Sequence, residues 1–189
     1  MTPEYLSQQF SVALTYENYL ASGKEEQQQR WRRVYEAASL GTTQRELIGG
    51  FVRQMNILVV SGIWCGDCVE QCPLIQRVAE ANPGKIDLRF FDRDQHGDLR
   101  DRVVMNGGHR VPVVLFLAED FHWCATAGDR SIHRYRALAA RKLGPSCPIG
   151  IVPPDTDELQ ATLADWINEI ERVQLMLRLT PRLREKYKD

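Results

Sequence analysis

The chain has no apolar run approaching the ~20 residues that a bilayer-spanning helix needs, which excludes a helical membrane span. Its first residues, Met1-Thr2-Pro3-Glu4-Tyr5, lack a basic stretch followed by an apolar core, so no secretory signal is expected. Net charge is also lacking: at −1 there is no global electrostatic case for nucleic acid or an anionic membrane as partner. Histidines are few, and His96, His109, His122 and His133 form no metal-ligand spacing. No internal repeat or low-complexity segment is present. Cysteine is limited to five positions, an odd number that suits a reducing cytosol better than a disulfide-stapled secreted domain, so a cytoplasmic location is expected.

What is present is concentrated at Trp64-Cys65-Gly66-Asp67-Cys68. This run directly follows the apolar stretch Ile57-Leu58-Val59-Val60 and is itself followed by Pro73. The short, β-branched stretch from Met55 to Val60, closed by Ser61-Gly62, reads as a buried strand. Beyond Cys65, Val69, Leu74, Ile75 and Val78 fall on one helical face, and the helix is expected to run to about Ala81 before Asn82-Pro83-Gly84 stops it. Cys65 then sits at the helix start, where unpaired backbone N–H groups and the positive end of the dipole favour thiolate. Such a position can draw a cysteine pKa from about 8.5 towards neutrality. Cys68 lies one turn along, within disulfide reach.

C-x-x-C has three readings. A zinc ribbon would need a second Cys/His pair, and Cys72, Cys124 and Cys147 supply no second C-x-x-C. A structural disulfide here would close a very small loop and constrain the unfolded chain little. A redox dithiol needs a strand before, a helix after and a βαβ continuation, and all three are expected here.

The first fifty residues read as three helices separated by Gly23 and Gly41. Thr2-Pro3 makes a cap with proline at the first helical position. Trp31, Val34, Tyr35 and Ala38 mark the second helix, and Thr43 with Glu46 forms a capping box for a third ending near Arg53. Residues 85–90 alternate as a half-exposed strand, and Asp94 to Met105 is helix-compatible. Val111 to Leu117 and Phe121 to Ala127 read as a hairpin beside the parallel unit, giving a mixed sheet. Asp129 to Leu143 is a further helix. Asp155 with Glu158 caps a long last helix, striped by Leu159, Leu163, Trp166, Ile167, Ile170 and Val173. Pro181 ends it, leaving a charged tail.

With the W-C-G-D-C run, Pro73 and Val111-Pro112 in this order, residues 51 to 130 and one C-terminal helix resemble the thioredoxin family. The resemblance implies an α/β thioredoxin-like fold: a mixed central sheet flanked by helices. Residues 1–50 would be an N-terminal helical extension, and 51–189 the thioredoxin-like domain with extended C-terminal helices. It implies that Cys65 attacks, Cys68 resolves, and Val111 and Pro112, the family's cis-proline position, form the substrate-docking edge beside Trp64 and Gly66. Asp92 and Gly128 also resemble family positions. Disulfide-containing protein substrates and an unidentified electron donor are the implied partners, with no cofactor and no metal. Two positions depart from the pattern. Asp67 stands where thioredoxins carry proline, and its carboxylate both suits the helix dipole and opposes a neighbouring thiolate. Val59 falls where thioredoxins hold a buried aspartate, so Asp67 or a water is expected to take the Cys68 proton.

Thiol–disulfide exchange, in the direction of a disulfide reductase, is therefore the leading reading. A non-catalytic binding module and an iron–sulfur or metal protein using Cys65, Cys68 and Cys72 stand as alternatives. Trp31, Trp123, Trp166 and Cys124 are expected in the core, Cys147 in a loop, and Trp64 over the thiols. His109 is read as a loop-surface residue, with Arg110 shaping the docking surface. Arg130, Arg134, Arg136, Arg141 and Lys142 are read as a solvated basic face.

Overall fold

The central strand β1 (Met55–Ser61) is buried along its whole length, as an apolar run must be when strands flank it on both sides. The computed structural model describes residues 1–143 and 157–188. On one side β2 (Ile86–Asp92) runs parallel to β1, with Ile57 opposite Leu88; on the other, β3 (Val113–Leu117) runs antiparallel, with Val59 opposite Val114. β4 (Trp123–Gly128) pairs antiparallel with β3, giving the order β2-β1-β3-β4 and the mixed sheet expected from the sequence. β4 is the edge. Its Trp123 is 45 % exposed and Cys124 only half-buried, so neither belongs to the core as expected: an edge strand is covered on one side only.

Four helices, not three, precede the sheet: α1 (Pro3–Val12), α2 (Tyr16–Ala21), α3 (Glu25–Ala37) and α4 (Thr42–Gly49). Thr2 caps α1 as expected, its hydroxyl accepting from the Tyr5 N–H at 3.3 Å, with Pro3 in the first turn. The cap of α4 is not Thr43. The helix starts at Thr42, and Gln44 Oε1 accepts from the Gly41 N–H at 2.9 Å, so the reciprocal contact falls two residues earlier. Leu14, between α1 and α2, exchanges backbone hydrogen bonds with Phe90 and covers part of the β2 edge. Tyr16, Tyr19 and Trp31 then close on Phe90; the Tyr19 ring stacks on it at 5.3 Å between centroids.

The motif helix α5 (Gly66–Glu80) comes directly after β1, with Pro73 inside it, and packs between α3 and α8 (Glu158–Leu179). The short α6 (Gly97–Arg102) and α7 (Ile132–Leu143) complete the middle of the chain. The α8 stripe from Leu163 to Val173 is buried as its periodicity predicts. Its cap is Asp157, whose carboxylate accepts from the Leu159 and Gln160 N–H groups; Asp155 lies outside the described residues, as does Cys147. Pro181 does end α8, but the charged tail expected beyond it is helical. Pro181 opens α9 (Pro181–Tyr187), which buries Leu183 and sets Arg182 and Lys186 on Asp120.

Candidate dithiol site

Cys65 is the N-cap of α5, and its backbone is extended before the helix turns in at Gly66. The turn is tight: the Cys65 N–H reaches back to the Gly62 carbonyl at 2.9 Å, and the Val69 N–H closes the first helical bond on the Cys65 carbonyl. Trp31 of α3 clamps the turn from outside, its indole N–H donating to the Ile63 carbonyl at 3.0 Å. A side chain at Gly62 would meet the Trp64 ring at 2.9 Å, so glycine lets that ring fold back against the loop. Trp64 is 44 % exposed, lies under Arg93 and donates to Asp94; it is the rim of the site.

The two thiols face different surroundings. Cys65 is half-buried, and its Sγ lies 3.7 Å from the Val111 carbonyl, the group just before the cis Val111–Pro112 peptide. Pro112 is fixed from behind. Gly128, at φ +126°, lies so close that a Cβ there would come within 2.2 Å of the Pro112 carbonyl oxygen. Cys68 is fully buried, and its sulfur accepts from the Gly62 N–H at 3.5 Å. A side chain at Gly66 would meet nothing within 4 Å, so this flank of the motif is open.

The thiols are within hydrogen-bonding reach of each other, and they titrate as a pair. The hydrogen bond to Cys68, then burial, pushes the Cys65 thiol well above its ordinary value, against the backbone N–H groups of Cys68 and Asp67, which pull it down. Burial pushes Cys68 up as well. The helix-start effect read from the sequence is therefore present, but coupling and burial outweigh it.

Asp67 does not stand alone against the thiols. Both its oxygens are held by Arg130, at 3.0 and 2.6 Å, and Arg134 adds a third bond at 3.2 Å. Arg134 is buried and also pairs with Glu70 and Glu158, which in turn holds Arg141. The basic face expected of Arg130 to Lys142 is thus not simply solvated: buried Arg134 and half-buried Arg130 turn to the first turn of α5, while Arg141 stays exposed and pairs with Glu158 at the start of α8. Asp129 extends the network, accepting from Arg110 at 3.0 Å, from Arg130 at 3.1 Å and from Tyr135. Burial alone would raise the Asp129 carboxyl, but Tyr135, Arg110 and the Arg130 charge outweigh it and hold it below the usual range. Gln71 pins the same segment by donating to the Asp129 carbonyl and accepting from the Ser131 N–H, both at 2.9 Å. With both oxygens in ion pairs to Arg130 and Arg134, Asp67 ties the first turn of α5 to the segment after β4.

The remaining candidates separate from this cluster. His109 is surface-lying and 3.1 Å from Asp101. Cys72 is fully buried and faces Ser61, with Sγ 3.8 Å from the hydroxyl oxygen. Among the described residues, no group of three or more His, Cys, Asp or Glu side chains is arranged to hold a metal ion. No helix of the described chain is long and apolar enough to cross a membrane.

Residues 13–140 match a family model for thioredoxin. Among solved structures, a protein of unknown function from Pseudomonas aeruginosa is similar at a TM-score of 0.67 and 23 % identity, covering 87 % of this chain and 95 % of that one. An HIV epitope-scaffold is similar at 0.63 and 18 % identity, covering 88 % and 95 %. Both likenesses concern the fold. No curated protein sequence matches. A cysteine-capped helix after a buried central strand, a cis Val111–Pro112 peptide whose Val111 carbonyl lies 3.7 Å from Cys65 Sγ, and a family-model match over most of the length place this chain in the thioredoxin family.

Proposed function

We propose that the protein is a thiol–disulfide oxidoreductase that reduces disulfide-containing protein substrates through Cys65 and Cys68. The contact between Cys65 Sγ and the Val111 carbonyl carries this reading. It sets the outer thiol against a backbone edge at which an extended substrate segment can pair, with Trp64 as rim and Gly66 as the open flank. The Cys65 thiolate attacks one sulfur of the substrate disulfide, and that S–S bond breaks as a mixed disulfide forms. The other substrate sulfur leaves as a thiolate; Cys68 then attacks Cys65 Sγ, breaks the mixed disulfide and displaces the sulfur that Cys65 had attacked as a second thiolate. The substrate gains two electrons, and the protein is left with a Cys65–Cys68 disulfide for a separate electron donor to reduce. The thiols supply all the chemistry, so no cofactor is invoked. An odd number of cysteines suits a reducing, cytoplasmic setting, and that setting favours the reductant direction.

A Cys68→Ser trap tests this. Mass spectrometry of the full chain after oxidising challenge is expected to find proteins linked through Cys65. Recovery of none would sink the exchange mechanism.

A further inference from the structure

Behind Cys68 the wall is buried. Val59, where a buried carboxylate would serve the inner thiol, is fully buried and apolar. The polar groups near that thiol come from elsewhere. Ser61, the last residue of β1, is fully buried, and its hydroxyl oxygen lies 3.8 Å from Cys72 Sγ, one turn beyond Cys68. The next residue, Gly62, sends its N–H to Cys68 Sγ at 3.5 Å. The end of β1 thus delivers one amide and one hydroxyl to the thiol face of α5. From the far side, α2 contributes the buried hydroxyls of Tyr16 and Tyr19. That of Tyr16 has no hydrogen-bond partner, and that of Tyr19 faces Ser61. Together they give the thiol-bearing side of the sheet a polar patch inside an otherwise apolar core.

We propose that Ser61 is a positioning residue for the resolving step, its rotatable hydroxyl donating to Cys68 as that buried sulfur becomes a thiolate. The proposal rests on the exchange reading above. In the mixed disulfide, Cys68 loses its proton to solvent and attacks Cys65 Sγ; the bond from Cys65 to the substrate sulfur breaks, and the departing thiolate takes up a proton. Ser61 neither gains nor loses one. It stabilises charge where burial and the neighbouring Cys72 oppose it, and the hydrogen bonds of Cys65 and Ser61 both pull the Cys68 thiol down. The groups that share this patch are the Cys65 and Cys72 thiols on the α5 side, Tyr16 and Tyr19 from α2, and Asp92 at the end of β2, which acts on Tyr19. The Asp67 carboxylate is turned to Arg130 and Arg134.

The test is stopped-flow reaction with 5,5′-dithiobis(2-nitrobenzoate) in a Cys124→Ser, Cys147→Ser background. Attack by Cys65 releases a first chromophore, and resolution by Cys68 releases a second. Ser61→Ala is expected to slow the second phase about tenfold at neutral pH and to move its pH profile about one unit alkaline. The first phase should be kept, and Ser61→Thr should restore the second. An unchanged second phase and profile would overturn the proposal. So would an equal slowing of both phases with lowered thermal stability, which marks a merely structural residue. If the parent protein shows no first phase, the exchange reading fails instead. The Cys68 titration, followed by 13Cβ NMR in Cys65→Ser with and without Ser61→Ala, then still decides on Ser61.

Discussion

The dithiol sits between two walls built on opposite principles. In front, Asp67, Arg130, Arg134, Asp129 and Arg110 form a partly exposed ionic network in which each carboxylate has two or more donors. Behind, Val59, Ser61, Cys72, Tyr16 and Tyr19 make a buried wall with no formal charge. The front wall fastens: it ties α5 to the segment after β4 and offsets the Asp67 carboxylate beside the sulfurs. The back wall solvates, offering small dipoles where a full charge would be too costly to bury. Charge at a redox centre is therefore a matter of what opposes it, and the acid in the motif is less telling than the arginines sixty residues away.

The largest effect should come from removing the group that both walls serve. Cys65→Ser is expected to abolish turnover with an insulin-type disulfide substrate, whereas Cys72→Ser should retain most of it. Equal loss in both would break the division between a working dithiol and a supporting wall. Next comes the joint between the walls and the docking edge. Gly128→Ala places a methyl 2.2 Å from the Pro112 carbonyl oxygen at φ +126°, and chemical denaturation should show a loss of about 3 kcal/mol or more. A loss under about 1 kcal/mol would mean that the loop relaxes freely.

Asp67→Asn probes the front wall alone. It removes the partner of one buried and one half-buried guanidinium, and a stability loss of about 1–3 kcal/mol is expected by urea unfolding. Because the remaining carboxylates still hold Arg134, a loss much above that range would assign the fastening to Asp67 alone.

The two walls should also separate by pH. Asp129 and Glu158 are held below ordinary carboxylate values by their hydrogen bonds and arginine partners, which outweigh burial. A depressed folded-state pKa gives stability that is present above the unfolded values of about 3.9 and 4.3 and is lost as pH falls through the folded ones. Unfolding midpoints should therefore drop below about pH 4, and a Tyr135→Phe variant, lacking a donor to Asp129, should show a smaller acid-dependent drop because its folded-state carboxyl lies nearer the unfolded value. The smallest effect lies at the alkaline end. With Cys65 raised by Cys68 and by burial, its iodoacetamide alkylation rate should still be climbing above about pH 8.5; a plateau by neutrality would show that the helix start dominates after all.

The sheet, the motif helix and the cis-proline edge are legible in the sequence because each leaves a local mark: an apolar run, a 3.6-residue stripe, a proline opening a strand. Helix caps are less legible, because several Ser, Thr, Asp or Gln side chains near a boundary can serve, and packing decides among them. Gln44 on Gly41 displaces Thr43, and Asp157 takes the α8 cap. The ionic wall escapes the sequence for a different reason. Asp67 and Arg130 are far apart in the chain, and only the return of β4 to the sheet edge brings them together; the one hint is a run of arginines just after Gly128. Ser61 reads as the end of a strand, since nothing local says that a strand's last hydroxyl will face a thiol two turns into the next helix.

Asp67 finally carries two jobs in one residue. Its side chain looks to the guanidinium groups, while its main-chain N–H is one of the two that draw the Cys65 sulfur towards ionisation. A proline, which the family commonly has there, owns neither group. This variant of the motif thus comes with a spare amide at the nucleophile and a handle on a distant helix. The two can be edited apart: asparagine keeps the amide and drops the charge, and proline drops both. The difference between those two substitutions isolates what a single backbone hydrogen contributes to the nucleophile.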